Sequence, residues 1–270
     1  MTIAELAEDR VVEAVYAVKT KRKLRTKSGA SYLALELVDS TGRIEARVWN
    51  DVELLDGRFA EGDAVRVLGR VEKFRDRLQL DVRSLEATDV DPASLTPAMR
   101  RDGDEIAGFL EFLVAEISHP GLAATVGAVL ADCDLGAYPA TPEDHHSYAG
   151  GLLEHTVGVA TLCRETAQLH PRLRVDLLLS AALLHDVGRT RELARGPSFA
   201  VTDEGRLLGH VHLGARLIEA HAEGLTPSQL AELVHCVSVH HEARGARTAE
   251  AAVLYHANQL DAVAATRRVD

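Results

Sequence analysis

Residues 177–193 read LLLSAALLHDVGRTREL, and the rest of the chain is organised around this stretch. Its first half, up to Leu184, is apolar at nearly every position, which is typical of a helix buried on most sides. His185 and Asp186 follow directly. A carboxylate at the end of a buried helix requires an ion pair, a hydrogen bond or a metal ion to offset its desolvation, and an adjacent imidazole is a natural co-ligand. The pair therefore predicts partners elsewhere in the chain, although taken alone it is also compatible with a buried pair that only caps a helix.

The composition predicts a globular protein of two domains. The chain has 270 residues, of which 46% are hydrophobic, and this length exceeds the usual size of one domain. No apolar run in the sequence is long enough to span a bilayer, and the acidic start MTIAELAEDR lacks the pattern of a signal peptide. We therefore expect a cytoplasmic protein with no membrane partner. The three cysteines are far apart and form no CxxC motif, which predicts buried free thiols.

The negative charge is concentrated in the second part of the chain. Residues 1–90 carry 16 Lys and Arg against 17 Asp and Glu, whereas residues 91–270 carry 14 against 24. The net charge of −11 argues against a protein that coats nucleic acid with its whole surface. All 13 histidines lie beyond Ile117. An acidic, histidine-rich region is compatible with a divalent-metal site, although solvated acidic faces are a more common cause of such charge.

A strand pattern extends over residues 11–88. Alternating or β-branched segments are separated by turn sequences such as Asp39-Ser40-Thr41-Gly42. The five segments read VVEAVYAVKT, SYLALELVD, RIEARVWND, DAVRVLGRVEKF and LQLDVRSLEA. A longer connection from Val52 to Glu61 separates the third from the fourth. This layout resembles an OB-fold, a five-stranded Greek-key barrel that commonly binds single-stranded nucleic acid or oligosaccharide.

Basic residues cluster at two predicted connections that border the binding face of an OB-fold. We predict that they contact single-stranded RNA or DNA, the alternative being a solvated hairpin. The predicted nucleic-acid-binding residues are Lys19, Lys21, Arg22, Lys23, Arg25, Lys27, Phe74, Arg75 and Arg77. Tyr32 and Trp49 are further candidates for base stacking, but their apolar neighbours favour positions in the core.

Residues 91–103 have the composition of a linker, and residues 104–270 carry a helical pattern. The strand alternation stops in residues 88–100, TDVDPASLTPAMR, which have the Pro, Ser and Asp content of a linker. Seven later segments place apolar residues at helical spacing, with breaks at proline. The predicted fold class is therefore α+β with two domains, a five-stranded β-barrel in residues 1–90 and an all-α helical bundle in residues 104–270.

Five motifs in the helical part follow one another in a recognisable order. They read HHSYAGGLLEHTVGVATL, LLHDVGRTREL, GRLLGHVHLGARLI, LVHCVSVHHE and AVLYHANQLDA. The order resembles the HD superfamily of metal-dependent phosphohydrolases. With an OB-like domain ahead of them, the motifs resemble the YhaM-type 3′-to-5′ exoribonucleases from about Val11 to Ala262. The resemblance implies an OB-fold barrel followed by an HD-domain helical bundle.

The resemblance also implies a centre for one or two divalent ions. One ion would be held by His155, His185 and Asp186, with Asp186 bridging to a second. Asn258 stands where the family usually has an aspartate, and Asp261 follows one helical turn later. The predicted metal ligands are His155, His185, Asp186, His210, His240, His241, Asn258 and Asp261. Nitrogen and carboxylate ligands suit a divalent transition metal, for which we favour manganese, with iron, cobalt and zinc as alternatives.

We predict catalytic roles for Asp186, Arg189 and His146. Paired cations neutralise the phosphodiester and lower the pKa of bound water. Arg189 stands where relatives commonly have a lysine. A guanidinium can clamp a phosphate bidentately but does not donate a proton at neutral pH, so we assign Arg189 to substrate binding.

Three functions are compatible with this sequence. The first is a 3′-to-5′ exonuclease that degrades single-stranded RNA, and DNA as a second possible substrate, to mononucleotides. The second is an HD phosphohydrolase of nucleotides or cyclic dinucleotides whose barrel is regulatory. The third, motivated by Asn258, is a nucleic-acid-binding protein with impaired catalysis. Each is compatible with an oligomer.

Overall fold

The chain divides into two compact units in the computed structural model, which describes residues 1–96, 99, 101–196 and 199–266. One unit comprises Met1–Ala98 with Arg195–Phe199, and the other comprises Met99–Ala194 with Ala200–Asp270. The first unit is a β-barrel and the second is helical, so the predicted two-domain α+β class is confirmed. In the described ranges no helix has the length and apolar character needed to cross a membrane.

Five strands close the barrel of the first unit. They are β1 (Val11–Arg25), β2 (Ser31–Asp39), β3 (Gly42–Val48), β4 (Ala64–Phe74) and β5 (Arg77–Ala87). The order around the barrel is β1-β2-β3-β5-β4, in which β3 and β5 run parallel and the other described pairs run antiparallel. The long predicted connection between β3 and β4 contains a short helix, α1 (Val52–Asp56). Leu33, Leu37 and Leu80 are among the fully buried side chains of the barrel core, as the alternation predicts.

Eight described helices form the second unit. They are α2 (Gly103–Ala115), α3 (Pro120–Ala131), α4 (Gly151–Leu169), α5 (Val175–Leu184), α6 (Arg189–Glu192), α7 (Asp203–His221), α8 (Pro227–Ser238) and α9 (Ala249–Thr266). Every residue of α5 from Leu177 to Leu184 is buried, and α5 packs against α3, α4, α8 and α9. The buried helix predicted from the apolar run is therefore the centre of this unit, and the His-Asp pair leaves it at its inner end.

The predicted linker, residues 91–103, contains helical structure. It contains a 3₁₀ turn at Pro92–Leu95, and α2 begins at its last residue. Three linker positions, Pro97, Ala98 and Arg100, lie outside the described residues, as do positions 267–270 at the end of the predicted helical domain.

Candidate metal centre

His185 and Asp186 meet a histidine from α4 at the end of α5. His185 Nδ1 lies 2.7 Å from the carbonyl oxygen of Ala182 and must donate to it, because a carbonyl only accepts. Its Nε2 therefore faces the opposite way, 3.1 Å from Nε2 of His155. Asp186 Oδ2 lies 3.9 Å from that nitrogen of His155 and 3.8 Å from that of His185. These three residues, all buried, form a first group whose ligand atoms converge on one point.

The other oxygen of Asp186 faces a second group of histidines. Asp186 Oδ1 lies 3.2 Å from His210 Nε2 and 3.4 Å from His240 Nε2, and His241 Nε2 lies 3.0 Å from His210 Nε2. His240 is oriented as His185 is, since its Nδ1 lies 2.5 Å from the carbonyl oxygen of Val237. Asp186 thus presents one oxygen to each of the two histidine groups.

Two polar atoms in this cluster are buried without a partner. Among the described residues neither Asp186 Oδ1 nor His240 Nε2 forms a hydrogen bond of acceptable geometry. An unsatisfied buried group of this kind costs about 1–3 kcal/mol, and more when it is charged. A divalent cation would satisfy both atoms, and imidazole nitrogen with carboxylate oxygen is a donor set typical of transition metals. The residues present therefore fit a divalent-metal centre.

The electrostatics of the cluster favour the forms of the side chains that bind metals. Burial lowers the pKa of His185 to about 3, and burial with the neighbouring His240 lowers the pKa of His241 to about 4. Burial opposes ionisation of Asp186, but the charge of Arg189, with smaller contributions from His185 and His210, holds the pKa of its carboxyl well below the ordinary value. At neutral pH these groups are neutral imidazoles and an ionised carboxylate, as metal ligation requires.

Glu192 connects Arg189 to His210, a role that the sequence does not predict. Its Oε1 accepts a hydrogen bond from the His210 backbone N–H at 3.1 Å, and its Oε2 accepts one from Arg189 Nη1 at 2.6 Å. Burial would raise the pKa of Glu192, but its contacts with His210 and Arg189 lower it to about 2. The one feature of the sequence that could have indicated this contact is the spacing of three residues between Arg189 and Glu192, which places both side chains on the same face of a helix.

Arg189 lies beside the cluster with part of its guanidinium uncommitted. Its Nε is buried without a hydrogen-bond partner among the described residues and lies 3.8 Å from Asp186 Oδ2. The predicted role of Arg189 in binding a phosphate remains a prediction, and the position of this side chain is compatible with it.

Asp261 and His146 lie on the far edge of the His155 ring. Asp261 Oδ2 is 2.7 Å from His155 Nδ1 and 3.1 Å from His146 Nε2. His155 Nδ1 and Nε2 point in different directions, and it is Nε2 that faces His185. The structure therefore brings Asp261 and His146 to His155 as a third group of possible ligand atoms, on the side of the ring away from His185 and Asp186.

Asn258 is buried near the second group. Its amide Nδ2 donates to the backbone carbonyl of His240 at 3.4 Å. This hydrogen bond engages the amide nitrogen of Asn258. The predicted role of Asn258 as a metal ligand stays a prediction.

Two of the lysines predicted to bind nucleic acid are engaged within the barrel unit. Lys21 Nζ donates to the carbonyl oxygens of Asp56 at 2.5 Å and Phe59 at 2.7 Å, and lies 4.3 Å from the centre of the Phe59 ring. Lys23 Nζ lies 2.5 Å from Glu53 and 3.4 Å from Asp56. The ammonium group of Lys21 therefore ties the β3–β4 connection to β1, and its predicted contact with nucleic acid stays a prediction.

The other predicted contacts on the barrel differ in exposure. Lys19 is half-buried and lies 3.8 Å from Glu36. The exposed residues are Arg22, Arg25, Lys27, Phe74, Arg75 and Arg77. These six side chains remain predicted contacts for a single strand.

The expectation that Tyr32 and Trp49 belong to the core is wrong. Trp49 is 48% exposed and Tyr32 is half-buried. Their rings stack with centroids 4.7 Å apart, and the Arg47 guanidinium lies 6.0 Å from the Tyr32 centroid. Strand alternation gives the reason: Leu33 and Val48 point into the barrel, so the residues next to them point outward.

Replacement of Lys21 is expected to destabilise the barrel. In Lys21→Met the two carbonyl oxygens lose their donor, so the free energy of unfolding should fall by about 1.5–3 kcal/mol in a denaturant titration. Lys27→Met, at an exposed lysine, is the matched control and should unfold like the wild type. Equal stability of the two variants would contradict the structural role of Lys21.

Comparison with known proteins agrees with this architecture. The model of the OB-fold nucleic acid binding domain matches residues 15–88, and the model of the HD domain matches residues 152–263. The fold and the site thus define a protein that joins an OB-fold to an HD domain.

Curated relatives cover nearly the whole chain. The 3′-5′ exoribonuclease YhaM of Geobacillus sp. (strain WCH70) is 29% identical over 267 residues, which are 93% of this chain and 82% of that protein. The YhaM of Bacillus subtilis (strain 168) is 27% identical over 93% of this chain and 84% of its own length. The predicted resemblance to the YhaM-type proteins is therefore confirmed. Among solved structures, a replication protein A domain from Methanococcus maripaludis is 26% identical over 32% of this chain and 92% of its own, with a TM-score of 0.29, too low to support an inference.

Proposed function

We propose that the protein is a divalent-metal-dependent 3′-to-5′ exonuclease that hydrolyses single-stranded RNA to mononucleotides. The observation that carries this proposal is the buried Asp186, whose two oxygens face two groups of histidines and whose Oδ1 is unsatisfied among the described residues. The attached OB-fold domain and the relatives named as exoribonucleases support RNA as the substrate. We further propose manganese as the ion.

The proposed function assigns metal binding and phosphate binding to different residues of the site. His155 and His185 would hold one ion and His210, His240 and His241 a second, with Asp186 between them. When bound, the metal would neutralise the phosphate and activate a water for attack on phosphorus. Arg189 would bind a non-bridging phosphate oxygen, oriented by its hydrogen bond to Glu192.

The barrel would hold the strand through stacking and charge. We propose that Tyr32 and Trp49 form a stacking platform and that Arg22, Arg25 and Lys27 contact phosphates. The domains would be an OB-fold in residues 1–90, a linker in 91–103 and an HD domain in 104–270. Three buried free cysteines support a reducing, cytoplasmic compartment.

Removal of the exposed tryptophan is expected to weaken RNA binding. Stacking on an aromatic side chain is worth about 1–3 kcal/mol per base, so Trp49→Ala should raise the Kd for single-stranded RNA roughly tenfold. Fluorescence anisotropy in EDTA measures binding without cleavage. Leu68→Ala, at an exposed apolar residue of β4, is the control and should leave the Kd unchanged. An unchanged Kd for Trp49→Ala would contradict the proposal that Tyr32 and Trp49 form a stacking platform for RNA.

The activity is tested with labelled oligonucleotides and Mn²⁺. A label at the 3′ end should appear at once as a mononucleotide, whereas a 5′ label should pass through a ladder of shortening products. DNA of the same sequence and a cyclic dinucleotide, run in parallel, measure the substrate range. No shortening of RNA by protein that contains metal would overturn the proposed function, and turnover of the cyclic dinucleotide alone would favour a nucleotide phosphohydrolase.

A further inference from the structure

A chain of hydrogen bonds leads from Glu154, through Tyr148, His146 and Asp261, to His155. Glu154 accepts a hydrogen bond from the Tyr148 hydroxyl at 2.6 Å, and that hydroxyl lies 2.7 Å from His146 Nδ1. The other ring nitrogen of His146 contacts Asp261 at 3.1 Å, and Asp261 contacts His155 Nδ1 at 2.7 Å. All of these groups are buried or half-buried.

The Asp261 bond determines which nitrogen of His155 carries a proton. An ionised carboxylate only accepts hydrogen bonds, so His155 must donate through Nδ1. A neutral imidazole that donates through Nδ1 has a bare lone pair on Nε2, and this nitrogen faces His185 and Asp186. The contact with Asp261 thus prepares His155 to bind a cation through Nε2.

Close packing holds Asp261 at this edge of the ring. A Cβ atom on Gly158 of α4 would overlap Asp261 Oδ1. Glycine at this position therefore lets the carboxylate of α9 lie directly against α4, one turn along that helix from His155.

We propose that Asp261 is a positioning residue, held by His146, which fixes the tautomer and the ring orientation of His155 and does not itself ligate the metal. The inference rests on the proposed function, in which this site binds metal. It replaces the ligand role that the sequence predicts for Asp261 and the catalytic role that the sequence predicts for His146. Carboxylates that orient a ligating histidine in this way typically contribute 10–100-fold to metal affinity or activity.

The tautomer of His155 is tested on the metal-free protein by NMR. Long-range ¹H–¹⁵N spectra of histidine-labelled protein should show His155 protonated at Nδ1 in the wild type, with the signal assigned by its loss in His155→Gln. Asp261→Asn keeps the volume of the side chain but removes the charge, and it should shift His155 toward a mixture of tautomers. A wild-type His155 that carries a proton only on Nε2 would overturn the proposal, whereas a second proton on Nε2, shared with His185 Nε2 at 3.1 Å, would leave the Nδ1 donation to Asp261 intact.

Metal affinity provides the second measurement. In Mn²⁺ titrations by calorimetry, Asp261→Asn should bind the same number of ions as the wild type with roughly 10–100-fold lower affinity. Gly158→Ala, which displaces the carboxylate without altering it, should reproduce this loss, whereas Gly127→Ala, a helical glycine with open space around it, should not. Loss of an ion in Asp261→Asn, or wild-type affinity, would contradict the positioning role.

Neither measurement depends on cleavage of RNA. If the exonuclease assay fails while the tautomer and the affinities behave as expected, the proposed function is wrong and the positioning role stands. If RNA is degraded but His155 carries a proton only on Nε2, only the positioning role is wrong.

Discussion

Asp186→Asn is expected to abolish metal binding and to lower the rate of RNA hydrolysis by about 10³-fold or more. Among the described residues, Asp186 is the one that the first and second histidine groups share. Its replacement by an amide therefore removes the negative charge that serves both groups. Stabilisation of the transition state by metal is worth several kcal/mol, and each 1.36 kcal/mol is a factor of ten in rate. Because the amide keeps the volume of the carboxylate, the metal-free variant should remain folded.

Thermal melting with and without Mn²⁺ checks this expectation independently of activity. Bound metal should raise the melting temperature of the wild type in a concentration-dependent way and leave that of Asp186→Asn unchanged. Asp203→Asn, at an aspartate whose side chain is 97% exposed, is the control and should respond like the wild type. A wild-type response to Mn²⁺ in Asp186→Asn would show that the ion binds elsewhere.

Gly188→Ala is expected to separate the two halves of the site. A Cβ atom on Gly188 would overlap the backbone carbonyl oxygen of His210, so the turn that carries Asp186 and the helix that carries His210 must move apart. Overpacking of this kind costs about 1–3 kcal/mol of stability. Because Asp186 Oδ1 and His210 Nε2 are only 3.2 Å apart, the same displacement should also weaken binding of the ion between them.

A glycine elsewhere in the helical unit serves as the control. Gly127 lies within α3, and a Cβ atom there would meet nothing within 4 Å. Gly127→Ala should raise the free energy of unfolding by about 0.5–1 kcal/mol, since alanine is the better helix former. Denaturant titration and Mn²⁺ calorimetry measure both variants. Stability and metal affinity of Gly188→Ala equal to those of the wild type would contradict the close contact on which the site geometry depends.

The residue types and their order along the chain were sufficient to select most members of the cluster. His155, His185 and Asp186 lie together in the structure, as do Asp186 and the histidines of the second group, and their role as metal ligands stays a prediction. The roles of Asp261 and Glu192 were not predictable in this way. A carboxylate contacts one edge or the other of an imidazole ring depending on ring rotation and helix packing. Residue spacing in the sequence determines neither of these.

In the barrel, too, the sequence pattern predicted the strands but did not predict contacts between residues distant in the sequence. Alternation predicted the five strands, and the same alternation places Tyr32 and Trp49 on the outside. The preference of large aromatics for the interior was the wrong guide for these two residues. Lys21 appeared equivalent to its basic neighbours, because its partners Asp56 and Phe59 lie more than thirty residues away.

The metal centre is tested most directly by anomalous diffraction from crystals grown with Mn²⁺ and measured at the manganese absorption edge. The expected result is an anomalous peak within coordination distance of Asp186 and the Nε2 atoms of the facing histidines, with Asp261 outside the coordination sphere. A map with no peak at Asp186, in crystals whose manganese content is confirmed by fluorescence, would contradict the assignment of this cluster as the metal centre.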